Sequence, residues 1–278
     1  MTQETPYFVH SGKVTVTSIL LMTIFGSLAA LVLSAIYGYA IAFIPFIYIN
    51  FFITLGFGAF TGMAVGIGGK IGKARRPGLY CLIGLVVGLL AEYAGWVAWF
   101  YASSSPSFLI VHPDELLKAL ELLAITGAWS LFGWTPTGFS LYIIWAVEAL
   151  IIIGGSALFA YACVQSTPFC EHCAQWVENT QTINGFQEIE DNEAFKSKLE
   201  QGHIDMVLEL GISAEPSLAS TEIEINRCKS CDNSNYLSLT TVEISLDDKG
   251  KESKSTDEFV SNLKITSIQH AQIEALNS

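Results

Sequence analysis

Residues 140–176 read SLYIIWAVEALIIIGGSALFAYACVQSTPFCEHCAQW, an apolar run that ends within a few residues of a cysteine pair. A helix that crosses a bilayer core of about 30 Å needs about 20 apolar residues, and residues 140–164 meet that requirement. Cys170 and Cys173 follow with the CxxC spacing that lets two thiolates bind one metal ion. The stretch therefore predicts a membrane-embedded helix that leads directly into a metal-binding domain.

Three further apolar runs of spanning length precede this stretch, at residues 15–38, 41–67 and 79–102. The mean hydropathy is +0.45 and 14% of the residues are charged, whereas about a quarter are charged in a typical soluble domain. The first run is too long for a signal peptide, and no cleavage site follows it. We therefore predict an α-helical membrane bundle of four transmembrane helices over residues 1–165.

The loop between the second and third runs predicts the orientation of the bundle. Residues 68–78 read GGKIGKARRPG, with four Lys or Arg residues close together. Short loops rich in Lys and Arg remain in the cytoplasm. Because the number of spans is four, both termini are then expected in the cytoplasm. The membrane is expected to be the plasma (inner) membrane of the cell. The cysteine pair would face a reducing compartment, where metal binding is favoured over disulfides.

A second CxxC pair, Cys228 and Cys231, follows the first after residues 174–227. Two such pairs supply the four thiolates of a closed tetrahedral zinc site, and structural zinc contributes folding free energy to a small domain. We therefore predict a small α+β zinc-ribbon-like cytoplasmic domain over residues 166–278, stabilised by structural zinc. Its predicted ligands are Cys170, Cys173, Cys228 and Cys231. The long spacer predicts an inserted helix and loop between the two cysteine turns.

Other roles for the cysteines are weaker alternatives. Cys170-Glu-His-Cys173 matches the CxHC pattern of disulfide oxidoreductases, but the βαβ context for that chemistry is missing and the second pair would have no role. Cys81 and Cys163 lie inside apolar runs and are expected to be packing residues. Four further residues are possible metal ligands but are expected to be solvated or core residues: His172, His203, Asp232 and His270.

All of the net charge of −12 lies in residues 166–278, which carry twenty acidic and eight basic residues. Phosphate backbones and anionic headgroups repel such a domain. Nucleic acid is therefore not an expected partner.

The third and fourth apolar runs each contain one acid, Glu92 and Glu148. A charge inside a membrane is costly, so such a residue faces the bundle interior or water. Both lie about 20 Å from the cytoplasmic helix ends at a rise of about 1.5 Å per residue, and hence at similar heights. Two interpretations stay open. The carboxyls are protonated and hydrogen-bonded to Tyr, Trp or backbone groups, or they form a shared proton or cation site.

Small residues recur every four positions in three of the runs. They are Gly26, Ala30 and Ser34 in the first, Gly58, Gly62 and Gly66 in the second, and Gly84 and Gly88 in the third, on the face of Glu92. Such stripes let helices pack closely. They predict that Glu92 faces a helix–helix seam, and that the protein forms a homo-oligomer through the glycines.

The outer loop contains a candidate helix at about residues 113–126, which starts at Pro113 with two acids in its first turn. Leu116, Leu117, Leu120 and Leu123 share one face, which predicts an amphipathic helix on the outer interface; the alternative is a lid over the bundle or a receptor surface. Three aromatic residues suited to the headgroup level follow, namely Trp129, Phe132 and Trp134.

No catalytic signature is present. GIGGKIGK lacks the spacing of a phosphate-binding loop, and hydrolase and metalloprotease motifs are missing. Enzyme activity is not expected.

The runs SLFGWTPTGFSLYIIWAVEALIIIG, PFCEHCAQW and GKIGKARRPG resemble those of uncharacterised bacterial multispanning membrane proteins with a C-terminal zinc-ribbon-like domain. The resemblance implies a bacterial plasma membrane and no particular activity.

Three functions fit these features. The first is a non-enzymatic membrane protein of scaffold, signalling or assembly type, whose zinc-stabilised cytoplasmic domain docks a protein partner. The second is an oligomeric channel, or a proton- or cation-coupled protein that uses Glu92 and Glu148. The third is a zinc or redox sensor.

Overall fold

The computed structural model describes residues 5–44, 46–104, 108–130, 133–211, 218–231, 233–246 and 252–277. Phe132 and Asp232 lie outside the described residues. The chain forms two compact units. One is Gly12–Gln165, and the other consists of Met1–Ser11 and Ser166–Ser278. The sequence assigned residues 1–165 to one domain. The described residues before Gly12 belong instead to the cysteine-bearing unit, because they pair with its sheet.

Unit Gly12–Gln165 is helical. Its helices are α1 (Val16–Phe43), α2 (Ile47–Ile71), α3 (Pro77–Ser103), α4 (Pro113–Thr126) and α5 (Gly138–Gln165). All except α4 are long and apolar enough to cross a membrane. The helical bundle expected from the four apolar runs is therefore confirmed as a fold.

The four long helices form a closed cycle in which α1 and α5 each contact both α2 and α3. Gly26 lies beside Val87 and Gly38 beside Ala98, so α1 and α3 run in the same direction. α5 is antiparallel to α3 and parallel to α2. The beginnings of α1 and α3 and the ends of α2 and α5 consequently lie at one end of the bundle.

The predicted glycine stripes lie in the seams of this cycle. A Cβ added to Gly58 would lie 2.9 Å from the carbonyl oxygens of Ile151 and Ile152, and one added to Gly66 would lie 2.5 Å from Cys163 Sγ. Gly62 faces the backbone of Ser156 on the same helix, α5. Gly84 and Gly88 also pack against α5, where added Cβ atoms would lie 2.8 Å from Ala157 Cα and 2.9 Å from Ile153 Cα. The glycines thus pack helices of one chain against each other.

Helix α4 covers the range that its sequence pattern predicts. Asp114 and Glu115 occupy its first turn, where acidic side chains stabilise the helix dipole. It ends at Gly127, whose φ of 84° favours glycine. Only Leu116 and Ala124 are buried on this helix.

The second unit is an α+β fold, as expected. A short hairpin, β1 (Phe169–Cys170) and β2 (Gln175–Trp176), precedes a four-stranded antiparallel sheet of order β3-β4-β5-β6. The strands are β3 (Asn179–Phe186), β4 (Ala219–Arg227), β5 (Asn235–Leu246) and β6 (Glu252–Ile265), and the helices are α6 (Asn192–Glu200), α7 (Asp205–Leu208) and α8 (Ser267–Glu274). The core includes Phe186, Ile223, Leu237, Leu263 and Ile273.

The segment between the cysteine pairs differs from the expected helix and loop. It contributes strand β3 as well as α6 and α7. β3 reads NTQTINGF, in which only Ile183 and Phe186 are buried hydrophobic residues. A strand at a sheet edge needs few apolar residues, which explains why no alternating pattern marks it.

Residues 6–8 lie along the outer edge of β6. Tyr7 forms an antiparallel bridge with Leu263. Lys264 N donates to Pro6 O at 2.8 Å, and Phe8 N donates to Asn262 O at 2.9 Å. The outer edge of β6 is thereby paired at residues 262–264, and residues 6–8 attach to the sheet there.

Candidate metal centre and acidic pocket

The four predicted cysteines converge at one end of the second unit. Cys170 ends β1, Cys173 lies in the β1–β2 turn, and Cys228 and Cys231 lie in the β4–β5 connection. Their Sγ atoms all lie within 4.8 Å of one another. All four are free thiols. Two segments that are distant in sequence thus present four ligand atoms to a single point.

The spacing of the sulfurs matches a tetrahedral metal site. Cys170 Sγ and Cys231 Sγ are 3.5 Å apart and belong to different pairs. Four ligands at about 2.3 Å around one ion would place the sulfurs about 3.8 Å apart. The residues therefore fit a metal ion, which would bridge the β1–β2 hairpin to the sheet.

The backbone of the first cysteine turn is shaped by the residue after Cys173. Ala174 adopts a φ of 51°, a left-handed conformation that is unfavourable for residues with a Cβ. This conformation reverses the chain so that Gln175 pairs with Cys170 and Trp176 with Phe169. Both sulfurs of the pair then face the same side as Cys228 and Cys231.

Hydrogen bonds orient the second cysteine turn. Cys228 N donates to Ser234 O at 2.9 Å, which closes the connection between β4 and β5. Gln175 Nε2 donates to Cys228 Sγ at 2.9 Å and to Ser230 Oγ at 3.1 Å. Burial opposes ionisation of Cys228, but hydrogen bonds from the Ser230 backbone and the Gln175 side chain lower its pKa to about 6. The hydrogen bond with Cys231 raises the pKa of Cys173 instead, so the metal-free cluster favours the thiolate at Cys228 and the neutral thiol at Cys173.

Aromatic and aliphatic side chains surround the sulfurs. Val177 and Tyr236 are buried in the same cluster as Cys170 and Cys228, and Phe8 from the start of the chain packs against it. The rings of Phe8 and Tyr236 meet edge to face, with centroids 5.6 Å apart. This apolar surround limits the access of water to the cysteine cluster. The contribution of Phe8 had no sequence signal, because a lone aromatic residue before the first apolar run does not indicate its partner.

The three alternative ligands that the structure describes are not part of the cysteine grouping. His172 and His203 are exposed, and His270 is buried next to Glu274, with Nδ1 3.7 Å from Oε2. Within the described part of the chain, the metal-ligand grouping at this site consists of the four cysteines.

The two acids of the helical unit also come together. Glu92 on α3 and Glu148 on α5 are half-buried and line one pocket. The Tyr37 hydroxyl on α1 donates to Glu148 Oε1, and it lies 3.5 Å from Thr54 Oγ1 on α2. Trp96 Nε1 donates to Glu92 Oε1 at 2.8 Å. The carboxyls are therefore bound by Tyr and Trp, the partner types considered from the sequence.

Most of this pocket was not predicted. Trp99, Trp129 and Trp145 line it together with Trp96 and Tyr37. The spacing of Glu92 and Trp96 is a local signal, since residues four apart share one face of a helix. The contributions of α1 and α5 depend on helix packing, which a single sequence does not specify.

Comparison with protein-family models, curated proteins and solved structures finds no match to this chain.

Proposed function

We propose that this chain is an integral membrane protein whose cytoplasmic domain is held together by structural zinc and has a non-enzymatic scaffold, signalling or assembly role. The convergence of the four cysteines carries the proposal. A site made of four thiolates is closed, because it leaves no position for substrate or water at the metal. Such a metal stabilises a fold rather than performing a reaction.

The surface of the helical unit supports insertion into a membrane. Each long helix has large apolar residues that are more than half exposed, for example Val32, Phe52, Leu89 and Leu150. Apolar surface on this scale is unfavourable in water and favourable in lipid.

The basic loop supports a cytoplasmic location for both termini. Arg75 in this loop pairs through its backbone with Lys13, just before α1, with an N···O distance of 2.9 Å. Because α5 is antiparallel to α3, its last residue, Gln165, lies at the same end of the bundle. Loops rich in Lys and Arg remain in the cytoplasm. The cysteine domain would follow on that side.

Zinc would fix the domain surface on which a partner docks. The β1–β2 hairpin is short and would be marginal without other support. A metal that joins it to the β4–β5 connection would hold both segments in one conformation. The domain could then present a constant acidic surface to a cytoplasmic protein.

The metal content tests this proposal. Full-length protein purified in detergent under reducing conditions should contain one zinc per chain by mass spectrometry of the metal. Cys228→Ser should lose the zinc, whereas Cys81→Ser, a cysteine of α3 outside the cluster, should retain it. Equal zinc contents in the two variants would refute the proposed ligand set.

A second candidate function is proton- or cation-coupled transport, or conduction, through the bundle. The observation that favours it is the position of Glu92 and Glu148 on one pocket. The glycine stripes pack helices within the chain, so a homo-oligomer would need a different surface. In proteoliposomes, the variant with both Glu92→Gln and Glu148→Gln should lose cation-dependent proton flux. Unchanged flux, with the exposed Glu121→Gln variant as the control, would rule out this candidate.

A further inference from the structure

The pocket that contains Glu92 and Glu148 has walls of an unusual composition. Four indole rings and one phenol ring line it, from Trp96, Trp99, Trp129, Trp145 and Tyr37. Trp96 meets Trp145 at 81° with centroids 5.1 Å apart, and it meets Trp99 at 77° with centroids 5.9 Å apart. These rings contact one another edge to face, and the pocket beside them has a volume of about 50 Å³, which suits a small head group such as a primary ammonium. Two carboxylates therefore share a space that is bounded mainly by aromatic rings.

Among the described residues, the hydrogen-bond partners of the two carboxyl groups are neutral. Tyr37 and Trp96 each donate one hydrogen bond without supplying a positive charge. Among the described residues that line the pocket, none is Lys, Arg or His. Inside a membrane a carboxylate without a counter-charge is costly. A cationic ligand would remove that cost, because it supplies the positive charge that the described lining of the pocket lacks.

The lining also discriminates among cations. Calcium needs six to eight oxygen ligands and magnesium needs near-octahedral oxygen coordination, whereas this pocket has mainly aromatic walls. Zinc and other transition metals favour His and Cys ligands, which are missing from the described lining. Aromatic faces attract organic ammonium groups through cation–π interactions.

A second, larger pocket adjoins the first and shares Glu148, Trp99 and Trp129 with it. Its wall includes apolar side chains such as Phe51 and Val147. An apolar group attached to the ammonium head could lie there. The two pockets together suit a ligand with a cationic head and an apolar body.

We propose that this pocket is a binding site for an organic monocation with a primary ammonium group, which lies beside Glu92 and Glu148 and against the tryptophan rings. The inference rests on the second candidate function, because it names the class of cation that the same site takes.

The test measures binding of benzylammonium to the full-length protein in nanodiscs of neutral lipid. Titration calorimetry and quenching of tryptophan fluorescence should both report saturable binding, because four indoles line the site. Ethylbenzene has the same shape without the charge and should bind at least about tenfold more weakly. An equal affinity of the two compounds would overturn the proposal.

The variants locate the site. Glu92→Gln combined with Glu148→Gln keeps the size of both side chains and should weaken binding by at least about tenfold. Trp96→Leu should weaken it as well. Two controls should bind as the wild type does, Glu121→Gln on α4 and Trp134→Leu, since both residues are exposed and outside the pocket. Unchanged affinity in the double glutamine variant, or competition by magnesium at concentrations equal to the organic cation, would overturn the assignment.

Flux measured on the same preparations separates the inference from the function on which it rests. Binding without cation-dependent proton flux supports the site and rules out coupled transport. Flux without binding of the organic cation overturns the inference and leaves the second candidate function in place. The zinc content of each preparation reports on the cysteine domain independently of both results.

Discussion

At the scale of single residues, Ala174 is the residue of the cysteine centre whose backbone is least suited to its side chain. Its φ of 51° costs an L residue about 1–2 kcal/mol relative to a right-handed conformation, and glycine avoids that cost. Ala174→Gly should therefore stabilise the first cysteine turn by about 1 kcal/mol. Hydrogen–deuterium exchange of residues 168–178 in the full-length protein should become slower.

The matched control for this substitution is Ala194→Gly on α6. Ala194 is exposed in the first turn of α6, where glycine has no conformational advantage and costs at most about 1 kcal/mol relative to alanine. Exchange in α6 should therefore become faster. Faster exchange around residue 174 in the Ala174→Gly variant would contradict the role assigned to the left-handed conformation.

Single residues also indicate how far sequence reasoning extends to the two sites. The four cysteines were predictable because the CxxC spacing reflects the geometry of metal ligation, which is local. Glu92 and Glu148 stood out because charges are rare in apolar runs. Tyr37 and Trp145 could not be predicted as pocket residues, since their relation to the acids depends on how α1 and α5 pack against α3.

At the scale of elements, the long helices were predictable from composition and β3 was not. An apolar run of more than 20 residues has few alternatives to a helix. β3 is polar, lies at a sheet edge and is stabilised through its pairing with β4. The pairing of residues 6–8 with β6 was likewise unpredictable, because Tyr7 and Leu263 lie more than 250 residues apart in the chain.

The segment along β6 should stabilise the cysteine domain through Phe8. The Phe8 ring packs against the cysteine cluster and Tyr236, so Phe8→Ala removes part of its apolar surround. Because Phe8 is only half-buried, the loss should be about 1–2 kcal/mol, below the range for a fully buried ring. Hydrogen exchange of residues 259–265 and zinc transfer to a chelator should both become faster. Val9→Ala is the control, since Val9 is 65% exposed; equal effects of the two substitutions would contradict this role of Phe8.

The seam between α2 and α5 allows a second prediction at this scale. Gly62 contacts the Ser156 backbone so closely that an added methyl group requires the helices to separate. Gly62→Ala should therefore destabilise the bundle by about 1–3 kcal/mol, which thermal unfolding in detergent would report as a lower Tm. Gly154→Ala on α5 is the control, because a Cβ there has open space around it. Gly154→Ala should leave the Tm unchanged or raise it. If Gly62→Ala changed the Tm in the same way, the close contact between Gly62 and Ser156 would be contradicted.

At the scale of the whole molecule, the division into two units predicts that loss of metal affects only one of them. The helical unit has its own packed seams, whereas the cysteine domain closes its hairpin and its β4–β5 connection around the proposed zinc. A zinc chelator added to the full-length protein under reducing conditions should therefore accelerate hydrogen exchange in residues 168–178 and 219–246. Exchange in residues 77–103 should stay unchanged, because α3 packs against α1 and α5. Exchange that rises equally in α3 would mean that the metal supports the entire chain. If exchange did not rise in any segment, the cysteine domain would not depend on a metal bound by the four cysteines.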